Sequence, residues 1–264
     1  MPDICIDRII VFSGQSNMQG QTEGDPHDNE FSGGCEYLLL QDEIIPLKNP
    51  VGEDIGELFA SSFGGGGSLV PYFVRVVTEK TGENVLAVHC AKGATKISEW
   101  LSDGACKSRY EKLVEKVRSA ANKIAAHVPI DFVWFQGESD AVAGTSKDDY
   151  ENMLLQFENQ LRKDLNIDTF SIIGTGYFSY LYADPKFDDE IMKAQDEMSE
   201  TGGSVYADFD YARIIKEKFY AQSLCPGHYN NEAMKIIGEK AGSEFVRKIV
   251  CNCDKVNCQT KCNT

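Results

Sequence analysis

Five short segments of the chain are largely apolar along their whole length, instead of alternating between apolar and polar positions. They cover residues 8–12, 84–90, 131–136, 170–175 and 204–208. Continuous apolar runs of this length are typical of parallel strands that are buried on both faces. The pattern therefore predicts a five-stranded parallel sheet that is covered by helices on both sides.

Between these segments, apolar residues recur at helical spacing, over residues 110–127, 148–165, 190–201 and 231–250. The first of these helices is predicted to bury one set of side chains, Leu113, Val114, Val117, Ala121 and Ile124, and to expose another, Glu111, Lys112, Glu115, Lys116 and Arg118. Strands that alternate with helices predict an α/β fold, a doubly wound three-layer α/β/α sandwich. Residues 19–67, rich in Gly and Asp, are expected to form an irregular loop over the site.

Length and charge limit the classes of function. With 264 residues and 42% hydrophobic content, the chain is expected to form one domain over residues 1–250, followed by a cysteine-rich tail at 251–264. A net charge of −15 opposes binding to nucleic acid or to an anionic membrane. The first residues show no secretory signal and no apolar run reaches 18 residues, which favours a cytoplasmic location.

The nine cysteines include four in the tail, Cys251, Cys253, Cys258 and Cys262. Their spacing is not the usual paired spacing of a structural zinc site, and an odd total cannot pair completely. Reduced thiols, disulfides and a metal site all remain open for this segment, which does not resemble catalytic machinery.

Polar residues follow three of the predicted strands, where a parallel sheet places its reactive groups. They form the sequences GQSNM at 14–18, CAKGAT at 90–95 and QGESD at 136–140. Ser16 is a candidate nucleophile, and a serine hydroxyl needs a base. His228 is the candidate base, because His27, His89 and His127 lie in a loop, in a strand and at a helix end. The structural alternatives are a strand-to-loop turn for Ser16 and a helix-entry residue for His228.

Together GQSNM, the glycine-rich segment before Ser68, WFQGESD and HYN resemble the SGNH hydrolase superfamily, which has a flavodoxin-like fold. Within it they are similar to the sialate O-acetylesterase and acetylxylan esterase branch of carbohydrate esterases, over residues 9–248. The resemblance implies a serine esterase that removes O-acetyl groups from an acetylated sugar or oligosaccharide through an acetyl-serine intermediate. It implies an oxyanion hole formed by the amides of Ser16 and Gly67 and by the side chain of Gln136. Within Gly64–Gly67 the register of the glycine is open. No metal or other cofactor is expected.

One position departs from the family pattern. The family usually carries Asp three residues before the histidine, where this chain has Cys225. Glu138 is the preferred substitute as the acid of the triad, with Asp208 and Asp210 as alternatives, while Asp140 is expected to stabilise its own turn. A glycan-binding member without turnover and another small-acyl ester hydrolase remain alternative functions. Trp134 is expected in the core, whereas Trp100 is open between stacking on a sugar and packing. The sequence indicates neither the sugar nor the oligomeric state.

Overall fold

The computed structural model describes residues 5–26, 33–56, 58, 66–176, 184, 186–201, 206–207 and 228–250. Within them, seven strands form one sheet in the order β3-β2-β4-β1-β5-β6-β7. The strands are β1 (Arg8–Gly14), β2 (Cys35–Leu38), β3 (Glu43–Pro46), β4 (Val85–Ala91), β5 (Ile130–Phe135), β6 (Thr169–Ile173) and β7 (Tyr206–Ala207). All neighbouring pairs are parallel except β2 and β3, which form an antiparallel hairpin.

Helices cover both faces of this sheet, as the sequence predicts. They are α1 (Ser16–Gln19), α2 (Val70–Thr81), α3 (Lys107–Asn122), α4 (Glu138–Ala143), α5 (Lys147–Leu165), α6 (Lys186–Thr201) and α7 (Asn231–Phe245). Ile9 and Val11 of β1 share one core with α3, α5 and α6, whereas Ile10 and Phe12 share the other core with α2 and α7. The predicted three-layer α/β/α sandwich is therefore confirmed. No helix among these described residues is long and apolar enough to cross a membrane.

The central strand β1 ends level with both of its neighbours. Gly14 is in register with Ala91 of β4 and with Phe135 of β5. Its φ of +148° is in the region that favours glycine, and a Cβ at this position would lie 2.0 Å from the carbonyl oxygen of Phe135. The glycine thus lets the chain turn out of the sheet where three strands end together.

The hairpin β2–β3 corrects the expectation of an irregular loop over residues 19–67. Both strands are only four residues long, and β3 is partly exposed, so neither gives the continuous apolar signal of the central strands. β2 extends the parallel sheet by pairing with β4, with Cys35 opposite Leu86. The abundance of Gly and Asp in this region reflects its turns and obscures two short strands, of which β3 forms the edge of the sheet.

Helix α3 differs from its prediction in two respects. It ends at Asn122 instead of residue 127, because residues 123–129 return the chain to the sheet, where the carbonyl oxygen of Pro129 accepts a 2.9 Å hydrogen bond from the amide of Ile9. Lys116, which was expected on the exposed face, is buried and its Nζ lies 2.8 Å from Oε1 of Glu53. A buried ammonium needs such a partner, and Glu53 lies in a segment that periodicity does not assign to this helix.

Candidate active site

Three strand ends meet around Ser16. The amide of Gln15 donates to the carbonyl oxygen of Phe135 at 3.1 Å, and the amide of Lys92 donates to that of Gly14 at 3.0 Å. The segments that follow β1, β4 and β5 are therefore hydrogen-bonded to one another at one edge of the sheet. Polar sequences after successive parallel strands correctly indicated this shared edge.

Ser16 is the first residue of α1, directly after the extended residue Gln15. Its side chain is buried, with 4% of the residue exposed. Amides in the first turn of a helix have no partner within the helix, so the Ser16 amide is a donor that the helix itself does not use. The residue is thus placed at a strand end with a backbone donor of its own.

His89 anchors the short helix and is not a candidate base. Its Nε2 lies 3.0 Å from the carbonyl oxygen of Met18, and since that oxygen can only accept, Nε2 carries the proton. Burial lowers the pKa of His89 to about 4, so the imidazole is neutral at physiological pH. His89 therefore fixes α1 against β4 as an uncharged donor.

The segment of His228 reaches the same edge of the sheet. The backbone amide of Tyr229 donates to Oδ1 of Asn17 at 3.2 Å, which joins the residue after His228 to the residue after Ser16. The ring of Tyr229 stacks on Phe135 with the centroids 6.1 Å apart. His228 itself is buried.

Glu138 begins α4 and is buried at the same edge. Its Oε1 accepts a 2.6 Å hydrogen bond from Nδ2 of Asn17, whereas its Oε2 has no hydrogen-bond partner among the described residues. Burial raises the pKa of Glu138 to about 7, while the hydrogen bond from Asn17 opposes the rise. The carboxyl is thus poised between its two forms near neutral pH. The alternative acids Asp208 and Asp210, and Cys225, lie outside the described residues.

The side chain of Gln136 is engaged in several hydrogen bonds at this edge, and its place in the oxyanion hole stays a prediction. Its Nε2 donates to Oδ2 of Asp140 at 2.6 Å and to the carbonyl oxygen of Thr95 at 2.9 Å, and lies 3.3 Å from Oε1 of Gln15. Its Oε1 accepts from the hydroxyl of Tyr150 at 3.2 Å. The buried carboxylate of Asp140 attracts the amide donors more strongly than a neutral partner would. Gln136 therefore braces the edge of the sheet.

The oxyanion role of Gly67 also stays a prediction, and the structure offers a second candidate glycine. The amide of Gly67 donates to Oγ1 of Thr22 at 2.6 Å, and a Cβ on Gly67 would lie 1.9 Å from Oδ1 of Asn231. Gly93 instead lies beside the serine, because a Cβ there would be 3.4 Å from Cβ of Ser16. Gly93 belongs to the polar sequence at 90–95, so its position after a strand could have indicated a role at the site. The run of four glycines at 64–67, of which 64 and 65 lie outside the described residues, is the more conspicuous sequence pattern.

Two further residues have structural roles. The ring of Trp100 is fully buried, packs edge-on against Trp134 with the centroids 5.5 Å apart, and donates from Nε1 to Oγ1 of Thr95 at 2.9 Å. It therefore packs in the core and is not available to stack on a sugar. Asp140 accepts from Oγ1 of Thr145 at 3.1 Å, which stabilises its turn as expected, and also from the amide of Ile97 at 2.8 Å.

The fold is an α/β sandwich in which a serine follows the end of the central strand and a histidine segment is attached beside it. The chain belongs to a family of carbohydrate esterases, described as sialic acid-specific acetylesterase, whose model matches residues 7–246. It is 28% identical over 181 residues to "Probable carbohydrate esterase At4g34215" of Arabidopsis thaliana, which covers 63% of this chain and 67% of that protein. The predicted resemblance to carbohydrate esterases is thereby confirmed.

Solved structures share the fold. That of the Arabidopsis thaliana protein AT4G34215 superposes with a TM-score of 0.67 at 20% identity, over 92% of this chain and 98% of that one. The structure of NanS gives a TM-score of 0.63 at 16% identity, over 92% and 98%. A carbohydrate acetylesterase from Xanthomonas citri, XAC1771, gives 0.60 at 15% identity, over 92% of this chain and 56% of that one.

Proposed function

We propose that the protein removes O-acetyl groups from a carbohydrate by transferring the acetyl group to Ser16 and then to water. One observation carries the proposal: Ser16 begins the helix that directly follows the central strand, and the backbone beside His228 is hydrogen-bonded to the residue beside Ser16. Family membership supports a carbohydrate ester as the substrate. The name of the Xanthomonas relative, a carbohydrate acetylesterase, favours acetyl as the acyl group.

In the first half of the reaction, His228 takes the proton of Ser16 while Oγ attacks the acetyl carbonyl carbon. The tetrahedral intermediate collapses when its bond to the sugar oxygen breaks and His228 returns the proton to that oxygen. This yields acetyl-Ser16 and a free sugar hydroxyl. In the second half, His228 takes a proton from water, the hydroxide attacks the acetyl-enzyme, and acetate leaves as the proton returns to Ser16.

The negative charge that develops on the carbonyl oxygen needs donors already in place. The backbone amide of Ser16 is one such donor. The amide of Gly93 is the second in this proposal; it donates to Oε1 of Gln19 at 2.9 Å, and the substrate oxygen takes the place of that acceptor. Gln136 holds this edge together through Asp140 and Thr95 instead of contacting the oxyanion.

Glu138 supplies the negative charge that stabilises the imidazolium form of His228. Its carboxyl is buried at the site, and its Oε2 is unpaired among the described residues. A buried charge of this kind acts over several ångströms, because little water screens it. Glu138 thus takes the part that Asp at the position of Cys225 plays in the family pattern.

Hydrolysis by the full chain of p-nitrophenyl acetate, butyrate and octanoate, together with acetylated xylan and O-acetylated sialic acid, tests this function. We expect turnover of the acetyl ester, a steep fall with longer chains and release of acetate from at least one of the two carbohydrates. A preference for octanoate would favour another acyl hydrolase. Binding of the acetylated glycan without release of acetate would favour a member that binds and does not turn over.

A further inference from the structure

Asn17 is a fully buried polar side chain whose two ends contact two distant segments of the chain. Its Nδ2 donates to Oε1 of Glu138 at 2.6 Å, and its Oδ1 accepts from the amide of Tyr229 at 3.2 Å. Glu138 is 121 residues away and Tyr229 is 212 residues away. The side chain therefore connects α1, which begins with Ser16, to the start of α4 and to the segment before α7.

The orientation of this amide is fixed by the chemistry of its neighbours. A backbone N–H can only donate, so the group that faces Tyr229 must be Oδ1. Nδ2 is then left to face Glu138, whose Oε1 accepts. If the amide were reversed, the donor Nδ2 would face the donor N–H of Tyr229. The amide of Asn17 therefore has one orientation that satisfies both neighbours, with Oδ1 toward Tyr229 and Nδ2 toward Glu138.

The segment that carries His228 is held on two sides by groups at the serine edge. Asn17 accepts the amide of Tyr229, and the buried Tyr229 ring stacks on Phe135, the last residue of β5. Phe135 is in register with Gly14, two residues before Ser16. The hydrogen bond from Tyr229 to Asn17 is therefore one of the contacts that fix the position of His228 relative to Ser16.

We propose that Asn17 is a positioning residue for the reaction. Its side chain links Glu138 to the His228 segment through two hydrogen bonds and so keeps the imidazole of His228 aligned with Ser16. This inference rests on the proposed function and deepens it. Asn17 contacts neither substrate nor proton in this role. Its effect is confined to where the imidazole lies and to how rigidly the imidazole is held.

The charge of Glu138 strengthens this connection. A hydrogen bond to a carboxylate is roughly twice as strong as a neutral one. An amide that donates to a carboxylate also becomes a better acceptor at its oxygen, since linked hydrogen bonds polarise one another. Burial, together with the negative charge of Asp188 on α6, raises the pKa of Glu138, so the strength of the connection depends on pH near neutrality. Alignment by Asn17 is therefore strongest where Glu138 is ionised.

Removal of the side chain is the first test. We expect Asn17→Ala to keep KM for p-nitrophenyl acetate and to lower kcat by about 10- to 100-fold, since small misplacements of reacting groups have effects of this size. Asn49→Ala is the matched control, because Asn49 is also buried and its Oδ1 accepts the amide of Ser68 at 2.9 Å. The control should lose thermal stability while keeping kcat. A folded Asn17→Ala variant with kcat within twofold of wild type overturns the proposal.

An exchange of the two groups gives a sharper test that does not depend on a truncated side chain. Asn17→Asp alone places two carboxylates against each other and should lower kcat at pH 8. Adding Glu138→Gln lets the new amide donate to the new carboxylate, which still accepts from Tyr229. Because Glu138→Gln also removes the proposed acid, the readout of this exchange is the position of the imidazole and not kcat. We expect the double variant to regain the melting temperature lost in Asn17→Asp and to return the His228 imidazole resonances toward their wild-type positions, because it restores both hydrogen bonds. A double variant whose His228 resonances stay where they are in Asn17→Asp contradicts the positioning role.

A measurement without turnover separates this inference from the proposed function. The imidazole resonances of His228, assigned with a His228→Gln variant, report the surroundings of the ring by NMR. We expect them to shift in Asn17→Ala and to stay in place in Asn49→Ala. If the wild type hydrolyses no acetyl ester, the proposed function fails, and unshifted His228 resonances in Asn17→Ala then overturn the positioning role independently.

Discussion

The side-chain amide of Asn17 donates a 2.6 Å hydrogen bond to Oε1 of Glu138, which joins the residue after the proposed nucleophile to the first residue of α4. The other end of the same amide holds the backbone of Tyr229. A carboxylate buried at the strand ends is thus connected to the histidine segment through one side chain. In the proposed mechanism this relationship lets Glu138 act as the acid, although Cys225 stands where the family pattern has Asp.

Glu138→Gln is expected to make the protein more stable and less active at pH 8. Burial raises the pKa of Glu138 to about 7, above its ordinary value of 4.5. The stabilising contribution of its protonated form is complete below about pH 4.5 and is lost as the pH rises through 7. Ionising this group in the fold thus costs on the order of 3 kcal/mol at pH 8, and a neutral Gln avoids that cost.

Thermal unfolding of wild type and Glu138→Gln at pH 4 and pH 8 measures this difference. The variant should be more stable than the wild type, and this difference in stability should be larger at pH 8 than at pH 4. Its turnover of acetyl ester should fall by roughly 10²- to 10⁴-fold, as in other triads that lose their acid. Asp140→Asn is a comparison in the same helix whose carboxylate holds Ile97 and Thr145 instead of Asn17. A Glu138→Gln variant with near wild-type turnover would show that another residue is the acid of the triad. Asp208→Asn and Asp210→Asn would then be the next variants to assay.

Gly93→Ala should impair catalysis, whereas Gly67→Ala should impair folding. A Cβ on Gly93 would lie 2.6 Å from Nε2 of Gln21 and 3.4 Å from Cβ of Ser16, which crowds the proposed oxyanion site. The substitution keeps the backbone amide but displaces it from the oxyanion, and loss of one oxyanion donor, about 10²- to 10³-fold in kcat, is the upper limit of the effect. A Cβ on Gly67 would instead meet Oδ1 of Asn231 at 1.9 Å. Paired measurements of kcat and melting temperature check this contrast, and the opposite pattern would return the oxyanion role to Gly67.

A chain that ends at Val250 is expected to keep its turnover. Helix α7 and its continuation complete the second core, where Phe245 and Val246 are buried. The tail at 251–264 lies outside the described residues and is predicted to be dispensable for the chemistry. Steady-state kinetics of the shortened chain, with a free-thiol count and metal analysis of the full chain, address its role. A folded but inactive shortened chain would show that the tail contributes to the site.

The sequence predicted the central sheet because its strands are buried on both faces and carry an uninterrupted apolar signal. The edge hairpin escaped prediction because its strands are short and β3 is half-exposed, so neither period is visible. Lys116 escaped for a different reason. Helical spacing places it on the charged face, and its ion pair with Glu53, which is distant in the sequence, forms only in the folded chain.

For the site, the sequence indicated which segments meet and which residue types they bring. It did not indicate how each side chain is oriented. Gln136 has the right residue type and position for an oxyanion donor, but in the folded chain its amide donates to the carboxylate of Asp140 and to the carbonyl oxygen of Thr95. Asn17 showed no signal of its own within GQSNM, because its partners Glu138 and Tyr229 become neighbours only in the folded chain.

Replacement of Ser16 by Ala tests the central claim, that this serine carries the acetyl group. We expect Ser16→Ala to fold normally and to lose at least about 10⁴-fold in turnover of p-nitrophenyl acetate, since the acetyl-enzyme can no longer form. Ser13→Ala is the matched control, three residues earlier in β1, because the hydroxyl of Ser13 donates to the carbonyl oxygen of Cys90 at 2.7 Å. A fluorophosphonate should label Ser16 in the wild type and in the control. A Ser16→Ala variant that keeps a tenth of the wild-type rate, with the label on another residue, would contradict the account.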